Sequence, residues 1–336
     1  MQQPLEHGGD DDVEWLGDAD SSYGDDSDRE SQTTTLKSSV RDYIYQNGRR
    51  YHAFRQGAYW GPNDEQACDN LDLFHHLFGL TLGGGLFLAP ITDNPSRVLD
   101  LGTGTGLWAI DFADAYPSAS VIATDLSPIQ PTLVPPNLEF QVDDFCTEWT
   151  FTKESFDFIH ARSIYGCVAD YPALYNQVIQ HLKPGGWYEQ AEISVVSRSE
   201  DGSIAGTSIE RWGPLALECG VKFGKSFSIA EDAERLLRQA GFENVTYRTF
   251  KWPVGPWPRD RRMKEIGAYN RIGWEEGLEG WAMFLFTNYL GPYKQWTPEE
   301  TRALIDQIRL DLRNKSIHAY QNVTICYGQK PVQKSA

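Results

Sequence analysis

In the stretch RVLDLGTGTGLWAI, from Arg97 to Ile110, a short apolar run leads into an acidic residue and three alternating glycines. The apolar residues predict a buried strand, and the spacing that follows, up to Pro117, predicts a helix. A glycine turn between them lets the backbone approach a ligand closely and leaves N–H groups free at the helix start. Leu107 replaces the third glycine of a dinucleotide fingerprint, and the Gly-Lys pair of a phosphate loop is missing. The turn therefore predicts a ligand site of another kind.

Further segments downstream have the composition of strands. They are SVIATDL (Ser120–Leu126), LEFQVDDF (Leu138–Phe145), FDFIHAR (Phe156–Arg162), WYEQAEISVV (Trp187–Val196) and VTYRTFKWPV (Val245–Val254). Helical patterns alternate with them, which predicts an α/β protein with a parallel sheet covered on both faces. After Leu126 the chain carries four prolines within SPIQPTLVPPN, so we expect a loop or a single turn there instead of a helix.

Acidic residues follow three of the predicted strands. Asp100 precedes the glycines, where a carboxylate can meet a ligand ammonium, and Asp125 stands where the acid of a dinucleotide site binds both hydroxyls of a ribose. Asp143 and Asp144, followed by Phe145, can accept a hydrogen bond from an adenine amino group and pack against its ring. Each acid alone is typical of a solvated loop. Together, at the carboxyl ends of three strands, they predict a ligand with a ribose but without a pyrophosphate.

The composition argues against several classes of protein. The chain has 336 residues, 40% of them hydrophobic, and its formal net charge of −17 argues against non-specific nucleic-acid binding. No window approaches a membrane span and the N-terminus lacks the order of a signal peptide, so we expect no membrane contact and a cytoplasmic location. The five cysteines form no CxxC pair, which indicates neither a disulfide framework nor a zinc site, and we expect no metal.

The rest of the chain divides by charge and periodicity. Between Met1 and Glu30 there are eleven acidic residues against one arginine, which predicts a disordered tail, or alternatively a docking tail for a basic partner. The segment NLDLFHHLFGL places four apolar residues on one helix face. We expect an acidic tail over 1–38, a helical or lid segment over 39–96, a core over 97–250, a helical insertion over 251–315 and a final strand over 316–330.

These motifs resemble those of class I S-adenosylmethionine-dependent methyltransferases. The resemblance rests on VLDLGTGTG, Asp125, the VDDF turn and HLKPGGWYEQAE, and on HAYQNVTICYGQKP as a last, antiparallel strand. The segments NGRRYHAFRQGAYWGPNDEQACDNLDLFHHL and FDFIHARSIYGCVADYPALYNQVIQHLKPGGWYEQAE are more closely similar to the fungal LaeA-like, or UMTA, methyltransferases. The resemblance implies a doubly wound, seven-stranded Rossmann-like sheet with a helical insertion before the last strand, and S-adenosyl-L-methionine as the cofactor.

The resemblance also implies which residues hold the cofactor. The methionine part would be contacted by Asp100, Gly102, Gly104 and Gly106, and the ribose by Asp125. The adenine side would be contacted by Asp143, Asp144 and Phe145. Upstream, a lid over the pocket would consist of Tyr51, Arg55, Tyr59 and Trp60. The alternative for these upstream residues is a helix and loop packed on the edge of the sheet.

Candidates for the acceptor side and for catalysis lie near the fourth strand and in the insertion. His160 has an ordinary pKa near working pH and could serve as a general base, or it could be a structural hydrogen-bonding residue. Tyr165, near the end of the fourth strand, is a candidate for the acceptor side. The aromatic stripe of the insertion is typical of a core, and the alternative is a pocket wall that includes Trp274 and Trp281. After the fourth strand HARS replaces the Asn-Pro-Pro-Tyr signature of amino-group methyltransferases that act on DNA or on protein glutamine.

Three functions follow as hypotheses. The first is a methyltransferase that acts on a small molecule or a peptide intermediate of fungal secondary metabolism. The second, which the LaeA-like resemblance permits, is a nuclear regulator of secondary-metabolite gene clusters that acts through protein partners. The third is a fold of this kind that binds the cofactor and catalyses another reaction. The residues leave the acceptor atom open.

Overall fold

The computed structural model describes residues 43–291 and 295–332, and the expected acidic tail lies outside them. Its strands are β1 (Ile44–Gln46), β2 (Arg49–Tyr51), β3 (Arg97–Leu101), β4 (Ser120–Asp125), β5 (Leu138–Val142), β6 (Phe156–Arg162), β7 (Leu182–Arg198), β8 (Glu243–Pro253) and β9 (Tyr320–Gln329). Its helices are α1 (Glu65–Leu82), α2 (Leu107–Ala115), α3 (Tyr171–His181), α4 (Ser208–Phe223), α5 (Ile229–Gln239), α6 (Arg261–Tyr289) and α7 (Pro298–Arg313).

The main sheet has seven strands in the order β5-β4-β3-β6-β7-β9-β8. Neighbouring strands are parallel except for β9, which runs antiparallel to both β7 and β8. The predicted doubly wound, seven-stranded Rossmann-like sheet is therefore confirmed, including its last antiparallel strand. The strand order reverses between β3 and β6, and open α/β sheets bind ligands outside the carboxyl ends of the strands at such a switch point.

The glycine turn joins the central strand to α2 as predicted. Gly102, Gly104 and Gly106 adopt φ values of 67°, 61° and 86°, which residues with a Cβ rarely adopt. A Cβ at Gly106 would lie 2.4 Å from Cζ of Phe140, so the third glycine lets α2 pack closely against β5. After β4, residues 126–137 contain no helix, as the prolines predicted.

The N-terminal segment differs from the expectation of a helical segment over 39–96. A two-stranded antiparallel hairpin, β1–β2, precedes α1, and its turn at Asn47 and Gly48 has positive φ at both residues. An Asn-Gly turn is a strong hairpin signal, which the helical interpretation overlooked. The predicted helix is present as α1, which begins after Asp64, whose side chain accepts a hydrogen bond from the Ala67 backbone N–H at 3.0 Å.

The helical insertion consists of α6 and α7, and it begins after β8, which ends at Pro253. The apolar side of α6 is buried against α4, a helix that the sequence analysis did not predict. Phe74 and Phe78 of α1 pack against Trp252 of β8, which joins the N-terminal segment to the sheet. In the part of the chain that the structure describes, no helix combines the length and the apolar character that crossing a membrane requires.

Candidate functional site

Six of the predicted site residues lie together in a cleft at the carboxyl ends of β3, β4, β5 and β6. This main cleft has about 770 Å³ of empty space, including its open mouth. Six of the residues singled out in the sequence line it: Tyr59, Gly102, Gly104, Asp125, Asp144 and Phe145. The fold therefore brings together residues from three strand ends and from the loop before α1.

Asp125 connects the glycine turn to the end of β4. Its two carboxylate oxygens accept hydrogen bonds from the backbone N–H groups of Gly104, at 2.8 Å, and Ser127, at 2.9 Å. Each oxygen has a second lone pair, so the carboxylate retains the capacity to accept from a diol. Burial raises the pKa of Asp125 to about 6, so the group is charged at neutral pH but close to its titration range.

The turn after β5 contributes Asp144 and Phe145 to the main cleft. The carboxylate of Asp144 lies 3.3 Å from the guanidinium of Arg55, which comes from the predicted lid segment. Phe145 is 8% exposed and lies next to the position that a Cβ at Gly102 would occupy. Asp143 is not part of the cleft wall, and its side chain accepts a hydrogen bond from the Asp144 N–H at 2.8 Å. Its predicted place beside the adenine is therefore not supported by its position.

A second, smaller cavity adjoins the main cleft on the other side of the glycine turn. We call it the polar chamber, and it is lined by Asp100, Thr103, His160 and Arg162 among others. Nδ1 of His160 lies 2.7 Å from Oδ1 of Asp100, and the imidazole stacks on Trp108 at 3.7 Å between ring centroids. Burial lowers the pKa of His160, so the neutral ring donates its Nδ1–H to Asp100.

A third cavity, lined by aromatic residues, adjoins the main cleft at Tyr59, Leu71 and Ser163. This aromatic cavity has about 630 Å³ of empty space and continues between α4 and α6. Five residues line both the cavity and its continuation: Trp60, Phe74, Tyr165, Ile193 and Trp281. Three residues of the predicted lid and pocket wall, Trp60, Tyr165 and Trp281, therefore meet there. Tyr59 lies between the two cavities.

Two of the predicted lid and wall residues lie elsewhere. Trp274 is 1% exposed, packs on Trp212, and donates its indole N–H to Oε1 of Gln321 at 2.7 Å. Tyr51 is 5% exposed and packs on Phe284. Both belong to the packed core, because α4 and the hairpin cover the sides of α6 that the sequence pattern left unassigned. Gly106 likewise serves helix packing against Phe140 and does not line the main cleft.

A buried acid of β7 supports the wall of the aromatic cavity. Glu192 accepts hydrogen bonds from the backbone N–H groups of Ile164 and Tyr165, both at 3.2 Å. Burial raises the pKa of Glu192 to about 8. Glu189, at an odd spacing from Glu192 along the strand, points to the opposite face and accepts hydrogen bonds from the N–H groups of Leu88 and Ala89. Glu192 thus fixes the turn that carries Tyr165.

Several wall residues of the main cleft carried little signal in the sequence. Ser163, directly after β6, has a φ of 56° and lines all three cavities. Leu71 of α1 also lines all three, although its spacing predicted only a packed helix face. Lys225, which follows α4, donates to the carbonyl of Ala58 and lines the main cleft. Only Ser163 had a local indication, because it follows a strand that ends at the predicted ligand edge.

The chemistry of the main cleft fits an adenosine-bearing cofactor. A Cβ at Gly102 or at Gly104 would lie 3.2 Å from Phe145 or from Leu71, so the backbone forms a cradle that side chains would fill. The carboxylate of Asp125 suits a ribose diol, and Phe145 offers a ring surface. Among the residues described here, no three His, Cys, Asp or Glu side chains are placed to hold a metal ion.

The methyltransferase-domain family matches residues 73–247 of the chain. The chain is 41% identical over 307 residues to methyltransferase pytC of Aspergillus terreus, which covers 90% of this chain and 93% of that protein. It is 36% identical to the secondary metabolism regulator LAE1 of Cochliobolus heterostrophus, over 86% of this chain and 95% of that protein. It is 35% identical to the protein-methionine methyltransferase laeA of Emericella nidulans, over 86% and 76% respectively.

These relatives extend over most of both chains, and the matched family spans the strands that build the main cleft and the polar chamber. The chain therefore belongs to the methyltransferase-domain family, in its LaeA-like branch, and is an S-adenosylmethionine-dependent methyltransferase.

Proposed function

We propose that the enzyme methylates a small apolar or aromatic molecule, or a peptide intermediate, of fungal secondary metabolism. The observation that carries this proposal is the aromatic cavity beside the main cleft. Its walls at Tyr59, Leu71 and Ser163 also line the main cleft, so an acceptor bound there would lie next to the cofactor. Cavities that bury small molecules are mainly apolar with a few polar groups, and this one has that character. The relationship to pytC agrees with this proposal.

In this proposal the protein aligns the acceptor and excludes water. The cofactor supplies an activated methyl group on a sulfonium, and the transfer is an in-line displacement. Trp60 and Trp281 provide flat apolar walls, while Glu192 holds the Ile164–Tyr165 turn in place. The insertion of α6 and α7 would act as the cap over the acceptor, and the loop before α1 as a lid over the main cleft.

His160 is poorly placed for a general base in this arrangement. It lines the polar chamber, and among the described residues it is absent from the walls of the aromatic cavity. Its Nδ1–H is committed to Asp100. We therefore favour the structural alternative for His160, and we propose an acceptor whose nucleophilic lone pair is available without a protein base. The basic role of His160 remains an untested prediction.

The test uses the gene deletion and the purified protein together. Metabolites extracted from the deletion strain are incubated with the full-length protein and S-adenosylmethionine that carries a deuterated methyl group, and the products are analysed by mass spectrometry. We expect one small molecule to gain a single labelled methyl group and to match a metabolite that the deletion strain lacks. The Asp125→Ala protein serves as the control with weakened cofactor binding. Absence of any labelled small molecule would overturn the proposal.

A second candidate is a regulatory methyltransferase that modifies a protein. The relationship to LAE1, named as a secondary metabolism regulator, and to laeA, named as a protein-methionine methyltransferase, favours it. Under this candidate the enzyme would act in the nucleus, and under the first it would act in the cytoplasm. The same labelling experiment on protein extracts separates the two, because label on a protein and on no metabolite supports regulation.

A further inference from the structure

The polar chamber contains a cation that the mechanism above leaves unused. Arg162, the last residue of β6, lines the main cleft, the polar chamber and an outer groove beside α1. Within residues 43–291 and 295–332 its guanidinium makes one hydrogen bond, to Nδ1 of His75 at 2.9 Å, and no ion pair within 4.0 Å. One face of the guanidinium lies 4.9 Å above the ring of Phe78.

The neighbours of Arg162 fix its orientation without neutralising it. A guanidinium can only donate, so Nδ1 of His75 accepts and is unprotonated, and the Nε2–H of His75 donates to Oδ2 of Asp111 at 2.9 Å. Arg162 is therefore held by a neutral imidazole. An arginine has five N–H donors. Among the described residues no further acceptor is recorded for the guanidinium of Arg162, and the side chain lines three cavities. A cation in such a position is suited to bind an anion of a ligand.

Other residues of the polar chamber have the complementary chemistry. Asp100 is 2% exposed and carries an acidic charge, next to His160. Two further polar atoms there, Nε2 of His160 and Oγ1 of Thr103, are buried without a hydrogen-bond partner among the described residues. The lone pair of the neutral Nε2 is an acceptor, and the hydroxyl of Thr103 can donate or accept. The chamber thus contains both acceptors and a guanidinium.

An α-amino acid carries an ammonium and a carboxylate on one carbon at neutral pH, which is the chemistry that the acceptors and the guanidinium of the chamber complement. The chamber shares Gly102, Gly104 and Arg162 with the main cleft, so a ligand whose adenosine lies against Asp125 can extend its other end past the glycine turn into the chamber. We propose that Arg162 binds the α-carboxylate of the cofactor's methionine part, in the chamber that it shares with Asp100 and His160. This inference rests on the identity of the cofactor and is independent of the acceptor proposed above.

The experiment measures binding by calorimetry with three ligands that differ only at this end. They are S-adenosylhomocysteine, its analogue without the α-carboxylate (S-adenosyl-3-thiopropylamine), and 5′-methylthioadenosine, which lacks the whole amino-acid part. In the wild-type protein we expect removal of the carboxylate alone to weaken binding by about 10-fold to 100-fold. In Arg162→Gln we expect S-adenosylhomocysteine to bind about as weakly as its decarboxylated analogue, and methylthioadenosine to bind as in the wild type.

Arg162→Lys and Arg262→Gln provide the matched controls. The lysine keeps the charge but not the forked donors, so we expect it to retain part of the preference for the carboxylate. Arg262 lines the outer groove and donates to the backbone carbonyls of Leu80 and Thr81, so its variant should change neither affinity. If Arg162→Gln fails to fold, the wild-type ratio between the first two ligands and its reduction in Arg162→Lys still decide the question.

Three results would overturn the proposal. The first is an equal loss of affinity for all three ligands in Arg162→Gln, which would give Arg162 a general structural role. The second is a wild-type protein that does not distinguish the carboxylate from its absence. The third is a preference for the carboxylate that survives in Arg162→Gln, which would place that group elsewhere. Failure of the acceptor proposal would leave all of these measurements unchanged.

Discussion

The two halves of the site are built in different ways. The main cleft and the polar chamber are formed by strand ends and a glycine turn, with Asp125 and Asp100 held by short hydrogen bonds. The aromatic cavity is formed mainly by helices α1, α4 and α6 and by the loop before α1, and several of its wall residues are rings that pack on one another. The first half, which we call the polar half, holds charged side chains in fixed positions. The second, which we call the helical half, provides apolar surface.

The two kinds of wall should respond differently to substitution. A polar residue at a strand end interacts with the ligand directly, so its loss should reduce binding without much effect on folding. An aromatic residue of the helical half contributes to a packed core, so its loss should reduce stability unless it faces the cavity. Cofactor affinity and stability, measured side by side, distinguish the two.

The largest effect is expected for Asp125→Ala. The carboxylate connects the glycine turn to the end of β4 and retains lone pairs for the ribose diol. Loss of two hydrogen bonds to a charged group should weaken binding of S-adenosylhomocysteine by about 100-fold or more. Calorimetry measures the change. Asp143→Asn is the control, since Asp143 lies off the cleft wall, and we expect its affinity to stay within about twofold of the wild type.

The outcome that contradicts this assignment is an Asp125→Ala protein with unchanged affinity. Loss of affinity in Asp143→Asn as large as in Asp125→Ala would instead restore Asp143 to the adenine side. Circular dichroism and the unfolding midpoint of each variant show whether the fold is intact. The comparison therefore separates binding from folding at the polar half.

A smaller effect is expected from pH. Burial raises the pKa of Asp125 to about 6, above the ordinary value of a free carboxyl group, so the carboxylate gains a proton as the pH falls below 6. The protonated group accepts less well from the ribose, so affinity should be constant at neutral pH and should fall by up to about tenfold per pH unit below about 6. Asp125→Asn cannot titrate and should give a weaker but flat profile. A wild-type profile that is flat from pH 5 to pH 8 would separate cofactor binding from Asp125.

The polar half was largely predictable from the sequence because its signals are local. A strand, three glycines and an acid at the next strand end lie in short stretches, and the parallel topology that brings them together follows from their alternation with helices. Gly106 and Asp143 show the limit of this reasoning. Both lie inside the motif, but neither lines the main cleft. Gly106 packs against Phe140 and Asp143 accepts from Asp144, and the motif does not encode these contacts.

The helical half was predictable in kind but not in detail. The aromatic stripe of α6 contains Trp274 and Trp281, two turns apart, and nothing in its spacing distinguishes a core residue from a wall residue. The distinction comes from Trp212 of α4 and from Gln321 of β9, which are distant in sequence. The sequence predicted a strand that ends at Arg162. That Arg162 makes no ion pair with the described residues depends on which side chains the fold places around it. Tertiary packing decided each of these cases.

Substitutions of the two tryptophans of α6 are expected to leave cofactor affinity unchanged. The two variants should instead differ in how much they lower the free energy of unfolding. Trp274→Phe removes the hydrogen bond to Gln321 in a buried site, so the free energy of unfolding should fall by about 1–3 kcal/mol. Trp281→Phe removes no hydrogen bond that the structure records, so it should lower the free energy of unfolding by less. Chemical denaturation measures both, beside calorimetry with S-adenosylhomocysteine. If Trp281→Phe were the more destabilising variant, Trp281 would belong to the core, and the aromatic cavity would lose the wall on which its acceptor role depends.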